Sequence, residues 1–426
     1  MKASSPPAGR APLMPLGDAM ADLLGRVDAL TGTETVATFD ADRRVLAQDL
    51  VSALQVPPKD NSSMDGYAVR TADVLEPGQV LRVSQRIAAG QAGGPLEPGT
   101  CARIFTGAPM PAGADAVVMQ EDTIEVGGDI HAVHIQAVPQ RGQWVRRAGE
   151  DVTHGAVVLA RGERLSPAGL GLAASLGLAE LRVVVRPRVA LFSTGDELVM
   201  PGEVPPEAMK PGAIYNSNRF FLRNLLQRMG CEVTDLGIVP DQREATLAAL
   251  QSAAEQHDLI LTSGGVSVGE EDHIKPSVQQ LGRLDIWQIG MKPGKPFAYG
   301  TVRRSAAGQN CHFIGLPGNP VSSFVTFLLL VRPFLLKLQG VPAARFQPLP
   351  AAITLPAHFT LPRADKRREF LRVRRNAAGG LDLFPNQSSG VLTSTVWADG
   401  LVDNPAGTTI AHGDPVSYIS FSDLLA

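Results

Sequence analysis

Two periodicities alternate between residues 188 and 338, and this alternation limits the possible folds more than any other feature of the chain. Apolar runs of strand length lie at 189–192, 233–238, 259–261 and 313–316. Between them, 218–229 and 243–257 place apolar residues at helical spacing, and a long helix is expected from Pro320. Strand, helix and strand in repetition need crossover connections, which favour parallel pairing with helices on both faces. The region 187–340 is therefore expected to be a doubly wound α/β domain with a mainly parallel sheet. In such sheets ligands bind where the strands end, so the loops after each strand are where chemistry is sought.

The flanks read differently. Leu16, Ala19, Leu23, Leu24, Val27 and Leu30 recur at helical spacing. From 57 to 147 short apolar runs at 80–83, 116–119 and 131–135 alternate with Gly and Pro, as in a small β-rich lobe. Ser166-Pro167 offers an N-cap and a first-turn proline for a helix ending at Gly177. That helix contains Gly169-Leu170-Gly171-Leu172-Ala173-Ala174, a loose dinucleotide fingerprint, but no strand precedes it and Pro167 has already opened the helix. After Val341 short strands return at 353, 370–373, 381–384 and 416–419, predicting a C-terminal β-barrel over 341–426. The expected order is a flexible tail (1–15), an elongated linking region (16–56 plus 148–186), the inserted β-rich lobe (57–147), the α/β domain and the barrel.

A multidomain α/β protein of 426 residues with 44% hydrophobic residues can bury several cores. The net charge of −3 gives no general attraction to nucleic acid or anionic lipid, so any anion must be held locally. Cys101, Cys231 and Cys311 form no CxxC pair, which fits a reducing cytoplasm. The longest apolar run, 324–338, contains Arg332 and Pro333 and is short of a bilayer crossing, so no membrane association is expected.

Four segments carry possible chemistry. After the strand at 259–261 comes Thr262-Ser263-Gly264-Gly265-Val266-Ser267-Val268-Gly269-Glu270-Glu271-Asp272, whose glycines let backbone N–H groups approach a phosphate. Taken alone, those glycines equally make a flexible turn. The loop also satisfies G-x-S-x-G, yet Gly269 and Pro276 oppose a helix starting at Ser267, and three acids would repel a developing oxyanion. Pro317-Gly318-Asn319-Pro320 ends a strand and opens a helix whose N-terminus faces an anion, or is simply capped. Lys292 and Lys295 lie three residues apart on a proline-stiffened stretch, where both can face one anion or stay solvated. Asp60, Asp65, Asp151, Asp196, Glu197, Asp241 and Asp272 sit in loops as hard oxygen donors suited to Mg²⁺, or as turn caps. The basic run 366–375 reads as a charged edge strand.

Seven strings in order carry a resemblance: 60–68 (DNSSMDGYA), 103–108 (RIFTGA), 149–151 (GED), 193–198 (STGDEL), 263–272, 291–296 (MKPGKP) and 315–320 (GLPGNP). Over nearly its whole length the chain resembles the MoeA family, which includes the E domain of gephyrin. The resemblance implies a cytoplasmic homodimer of four subdomains that transfers molybdate into adenylylated molybdopterin, giving molybdenum cofactor and AMP with Mg²⁺ as helper. Other molybdenum cofactor synthesis proteins are implied as further partners. By the same resemblance Lys292 and Lys295 bind molybdate, joined by Arg368 and Ser389 from the barrel. Asp60, Thr106, Asp151, Glu197, Asp241 and Asp272 are tied to activity, with Glu197, Asp241 and Asp272 assigned to Mg²⁺. Ser263, Gly264, Gly265, Ser267 and Gly269 line the pterin and its phosphates, and Pro317 and Pro320 shape the floor. Gln288 stands where a basic residue is frequent in the family and Asn216 where aspartate is common, so the anion pocket has one charge fewer. A related adenylyltransferase has a Thr-Gly-Gly-Thr-Gly loop, unlike Ser263-Gly264-Gly265-Val266-Ser267, and a scaffold role would call for a long linker that 426 residues do not contain.

Overall fold

The computed structural model describes residues 13–126, 131–265, 273–306, 308–345 and 348–425. Its central sheet has six strands in the order Glu232–Val239, Arg188–Thr194, Leu259–Ser263, Asn310–Leu316, Pro296–Arg303 and Gly282–Gln288. The first four run parallel, and Pro296–Arg303 runs antiparallel to both of its neighbours, so the sheet is mixed. The antiparallel edge had no sequence signal of its own, because its turn falls in the proline-rich stretch around Lys292.

Alternate residues of these strands serve two cores, as a pleated sheet covered on both faces requires. Ala190, Phe192, Ile260 and Phe313 pack with Leu250, Ala253 and Ala254 of the helix Arg243–Gln256 and Val278 of the helix Ile274–Leu281. Val189, Leu191, Leu259 and Leu261 face the helix Asn218–Arg228 and the long helix Pro320–Leu338. The latter runs through Arg332 and Pro333 by way of a π-helical turn at Phe327–Val331, a local widening that accommodates irregular backbone bonding. It is apolar on all sides because it is a core helix: 89% of its most apolar window is buried. The helix Ile274–Leu281 likewise accepts Pro276, in its first turn.

The helix Leu16–Gly25, grouped by sequence with the linking region, inserts Leu16, Ala19, Met20 and Leu23 into this same core. Just before it, Met14 donates its N–H to Gln288 O and accepts from Gly290 N, each at 2.8 Å, so the last residues of the expected tail join the sheet edge.

His312 lies in this core. Its Nδ1 is 2.9 Å from Tyr299 Oη, and Phe334 meets its ring edge-on. Burial pulls its pKa from 6.5 down to about 4 despite nearby Asp258. The unfolded chain therefore binds a proton that the native state refuses between these values, and stability must fall as pH drops from about 6.5 towards 4. The linkage amounts to up to about 3 kcal/mol. Urea unfolding at pH 7 and pH 5 should show this loss, and His312→Gln should flatten it; an unchanged slope in the variant would exclude His312 as its source.

In the linking region Thr33–Ala37 pairs with Glu180–Val184, and Leu50–Val51 with Val157–Leu159. The helix Pro167–Ser175 starts as its sequence predicts, with the Ser166 hydroxyl accepting from Gly169 N at 3.2 Å. The inserted lobe is a six-stranded sheet ordered Ala116–Met119, Gly66–Val69, Thr100–Ile104, Gln79–Ile87, Ala132–Ile135, Thr123–Val126.

The C-terminal sheet runs Arg368–Arg375, Gly400–Asn404, Pro415–Ser420, Ile353–Pro356, with Leu381–Leu383 beside the first. Leu371, Val373, Val402 and Tyr418 fill its own core, whereas the alternating Phe370, Leu401 and Ile419 enter the core of the α/β domain. One further strand extends this sheet: Met291–Lys292, which lies parallel to Arg368–Glu369. The two domains therefore share a backbone seam at the lysine that the sequence singled out.

Candidate active site at the strand ends and the domain seam

Register brings the strand ends together. Ser193 pairs with Ser263, Ser263 with Leu316, and Thr194 with Val239, so the loops beginning at Gly195, Gly264, Pro317 and Pro240 leave the sheet side by side. Asn218 ties three of the elements, donating from Nδ2 to Ser263 Oγ and to Gly318 O, both at 2.7 Å. Glycine is required after Ser263: φ is +98° at Gly264 and +67° at Gly265, and a Cβ on Gly265 would lie 2.5 Å from Ile274 Cγ1. Ser267, Gly269 and Asp272 lie outside the described residues.

Pro317 follows the strand Asn310–Leu316, and Pro320 is the first helical residue. Asn319 takes the cap position without a side-chain capping bond; instead Val321 N donates to the backbone O of Ser389 at 2.9 Å. Ser389 thus reaches this helix N-terminus from the C-terminal domain through its backbone. Asn216 is buried beside the start of the helix Asn218–Arg228, where its Oδ1 accepts from Arg219 N at 3.3 Å.

The cations are more constrained than their sequence suggests. Lys292 Nζ lies 2.9 Å from Glu369 Oε1 and 3.3 Å from Asp365 Oδ2. Burial works against its charge, but the hydrogen bonds and charges of Glu369 and Asp365 outweigh that, and the lysine pKa is raised. Arg367 grips both oxygens of Asp365, with Nη2 2.9 Å from the Oδ2 that also faces Lys292, and holds that carboxylate well below its ordinary range. Lys295 forms no ion pair among the described residues; its carbonyl accepts from Ile289 N.

Arg368 points to a different partner. Both carboxylate oxygens of Asp403 hold its guanidinium, Nε to Oδ1 at 2.6 Å, and it lies over the Phe370 ring. The arginine that shares a carboxylate with Lys292 is Arg367, which sequence reasoning passed over. The two-residue spacing of Asp365, Arg367 and Glu369 was the available signal.

The acids form two groups. Glu197 and Asp241 sit in the neighbouring loops that follow Thr194 and Val239. Among the described residues no three His, Cys, Asp or Glu side chains converge on one point. In the lobe, Asp60 accepts from Ala148 N at 2.8 Å and Arg147 Nη1 at 2.7 Å, contacts that lower its pKa. Thr106 donates to Asp65 from both its backbone N and Oγ1. Exposed Asp151 borders a cavity of about 420 Å³ together with Asn61, Arg146 and Glu150. No hydrogen bond or ion pair described within the chain links this lobe group to the strand-end loops.

Three family models match the chain in order. Residues 14–177 match the MoeA N-terminal region (domain I and II), 190–337 a probable molybdopterin binding domain, and 354–421 the MoeA C-terminal region (domain IV). The chain is 42% identical to the molybdopterin molybdenumtransferase of Haemophilus influenzae, covering 97% of this chain and all of that protein. It is 36% identical to the enzyme of the same name from Nostoc, over 93% and 90% of the two chains. Gephyrin of Dictyostelium discoideum matches at 32% over 77% of this chain and half of its own length. Among solved structures, a molybdopterin biosynthesis moeA protein from Pyrococcus horikoshii superposes with a TM-score of 0.80 at 27% identity, over 96% of this chain and all of that one. Domain matches in order and relatives aligned end to end lead to one conclusion: the chain belongs to the MoeA family.

Proposed function

We infer that the chain is a molybdenum-inserting transferase that takes adenylylated molybdopterin and molybdate to molybdenum cofactor and AMP. The observation that carries this reading is the domain seam, where Lys292 and Arg367 share Asp365 beside strand-end loops built to receive phosphates. Lys292, Lys295 and Arg367 supply the charge for a dianion. Ser263, Gly264 and Gly265, with Ser267 and Gly269 further along the loop, line the phosphates through their N–H groups. Pro317, Pro320 and the Ser389 backbone close the floor. An apolar cleft of about 500 Å³ between Ser217, Phe220, Phe324, Leu392 and Val396 gives a flat ring of the substrate a place beside Asn218.

Glu197 and Asp241, with Asp272, have the hard oxygen donors that would hold Mg²⁺, which when bound would neutralise charge on the phosphoanhydride. The lobe residues Asp60 and Thr106, with Asp151 just beyond the lobe, serve the site of a second copy in a cytoplasmic homodimer. Support comes from the linking region, which leaves Phe39, at 96% exposure, Val51 and Val157 bare. Other cofactor-synthesis proteins would deliver the substrate. We read the central domain (187–340) as doubly wound, on the strength of its two helical layers, and 341–426 as barrel-like around its separate core; residues 16–56 with 148–186 and 57–147 are read as the linking region and lobe.

The test is AMP release by purified protein given adenylylated molybdopterin, Mg²⁺ and molybdate. Release that requires molybdate and loads one metal per AMP is expected. Release at the same rate without molybdate would overturn the reading.

A further inference from the structure

Glu369 is 3% exposed, and only one of its two oxygens is used: Oε1 meets Lys292, while buried Oε2 has no hydrogen-bond partner. A buried carboxylate oxygen left unpaired is costly, and in native structures it calls for an explanation. The charges around it supply one. Lys292 faces Glu369 from the strand Met291–Lys292, and Asp365 and Arg367 face it from the segment leading into its own strand. Across the sheet its neighbour is the uncharged Asn404, and Arg368 is already neutralised by Asp403.

With Lys295 assigned to the same anion as in the proposed function, three cations stand against two carboxylates, a surplus of one positive charge. A dianion arriving there leaves a surplus of one negative charge in a partly buried seam. Neutrality returns when one carboxylate takes a proton, and Glu369 is the one with an oxygen free to accept it. We propose that Glu369 is the proton-coupled partner of the oxoanion: Lys292 turns from Glu369 to the anion as it binds, and Glu369 takes up one proton on Oε2. This rests on the reading of Lys292 as an oxoanion ligand.

The proton then has a use in the reaction. Molybdate and a dithiol give a dithiolene trioxo dianion and one water. Glu369 passes its proton to the departing oxygen, one thiol supplies the second proton of that water, and the other thiol's proton returns to Glu369. Atoms and charge balance, and no redox partner is needed.

Calorimetric titration of the full chain with sodium molybdate near pH 7.5, in two buffers of different ionisation enthalpy, counts the protons. The wild type is expected to take up close to one per molybdate, with Kd rising about tenfold per pH unit above neutrality. Glu369→Gln should bind molybdate with no proton uptake and a flat pH profile, while Asp365→Asn keeps the uptake. Binding by the wild type without proton uptake, or unchanged uptake in Glu369→Gln, overturns the proposal and leaves the site reading standing. No molybdate binding by the wild type overturns both. If Glu369→Gln does not fold, the wild-type proton count and pH slope decide.

Discussion

Lys292→Ala should lose molybdate-dependent AMP release by roughly 10- to 150-fold, the worth of a charge-assisted contact of about 1.5–3 kcal/mol. The same change should lower stability, because Glu369 keeps its burial and loses its ammonium partner. Removing one member of a fully buried pair costs about 3–5 kcal/mol; with Lys292 39% exposed, roughly 2 kcal/mol is expected here. The two losses separate in the double variant Lys292→Met with Glu369→Leu. Removing both charges should recover most of the stability measured by urea unfolding and none of the activity. If the double variant regains activity as it regains stability, Lys292 is a structural residue and the assignment of the oxoanion to the seam is wrong.

Mixing two inactive variants should produce an active enzyme. Asp60 and Thr106 lie on the lobe and Asp151 just after it, and no described bond joins them to the strand-end loops of their own chain. In the proposed homodimer a second copy would complete the site across a two-fold axis. In that arrangement Asp60→Ala and Lys292→Ala would each spoil every site of their own dimer. Coexpressed in equal amounts, half of the dimers are mixed, and each mixed dimer has one site with both residues intact. About a quarter of wild-type AMP release should return, from about a tenth or less in either variant alone. Activity of the mixture that stays at the average of the two variants would show that each chain completes its own site.

Much of the fold was legible in the sequence because local chemistry and tertiary context agree there. The helix Asn218–Arg228 begins and ends within a residue of its predicted span, and Ser166 caps as its position beside Pro167 implies. The strands Leu259–Ser263 and Asn310–Leu316 are apolar enough to announce burial on both faces. The edge hairpin was not legible. Gly282–Gln288 is a strand because Pro296–Arg303 pairs with it, and the helix Leu16–Gly25 joins that core through contacts made over two hundred residues away in sequence.

The site divides along the same line. Motifs marked Lys292 and the Ser263 loop, because each is a local string. The carboxylates that hold Lys292 lie in another domain, 77 residues away for Glu369, and only the parallel pairing of Lys292 with Glu369 brings them together. Arg367 was hidden among five arginines in the basic run 366–375, which spacing alone could not rank without knowing which face of the strand met the seam.

Crystals soaked in sodium tungstate, with anomalous scattering collected at a tungsten edge, locate the oxoanion without reference to activity. Binding of the oxoanion at the seam predicts one strong peak per chain there, within hydrogen-bonding reach of Lys292, Lys295 and Arg367, with Lys292 drawn away from Glu369. A well-ordered tungstate elsewhere, with the Lys292–Glu369 pair undisturbed, would contradict it.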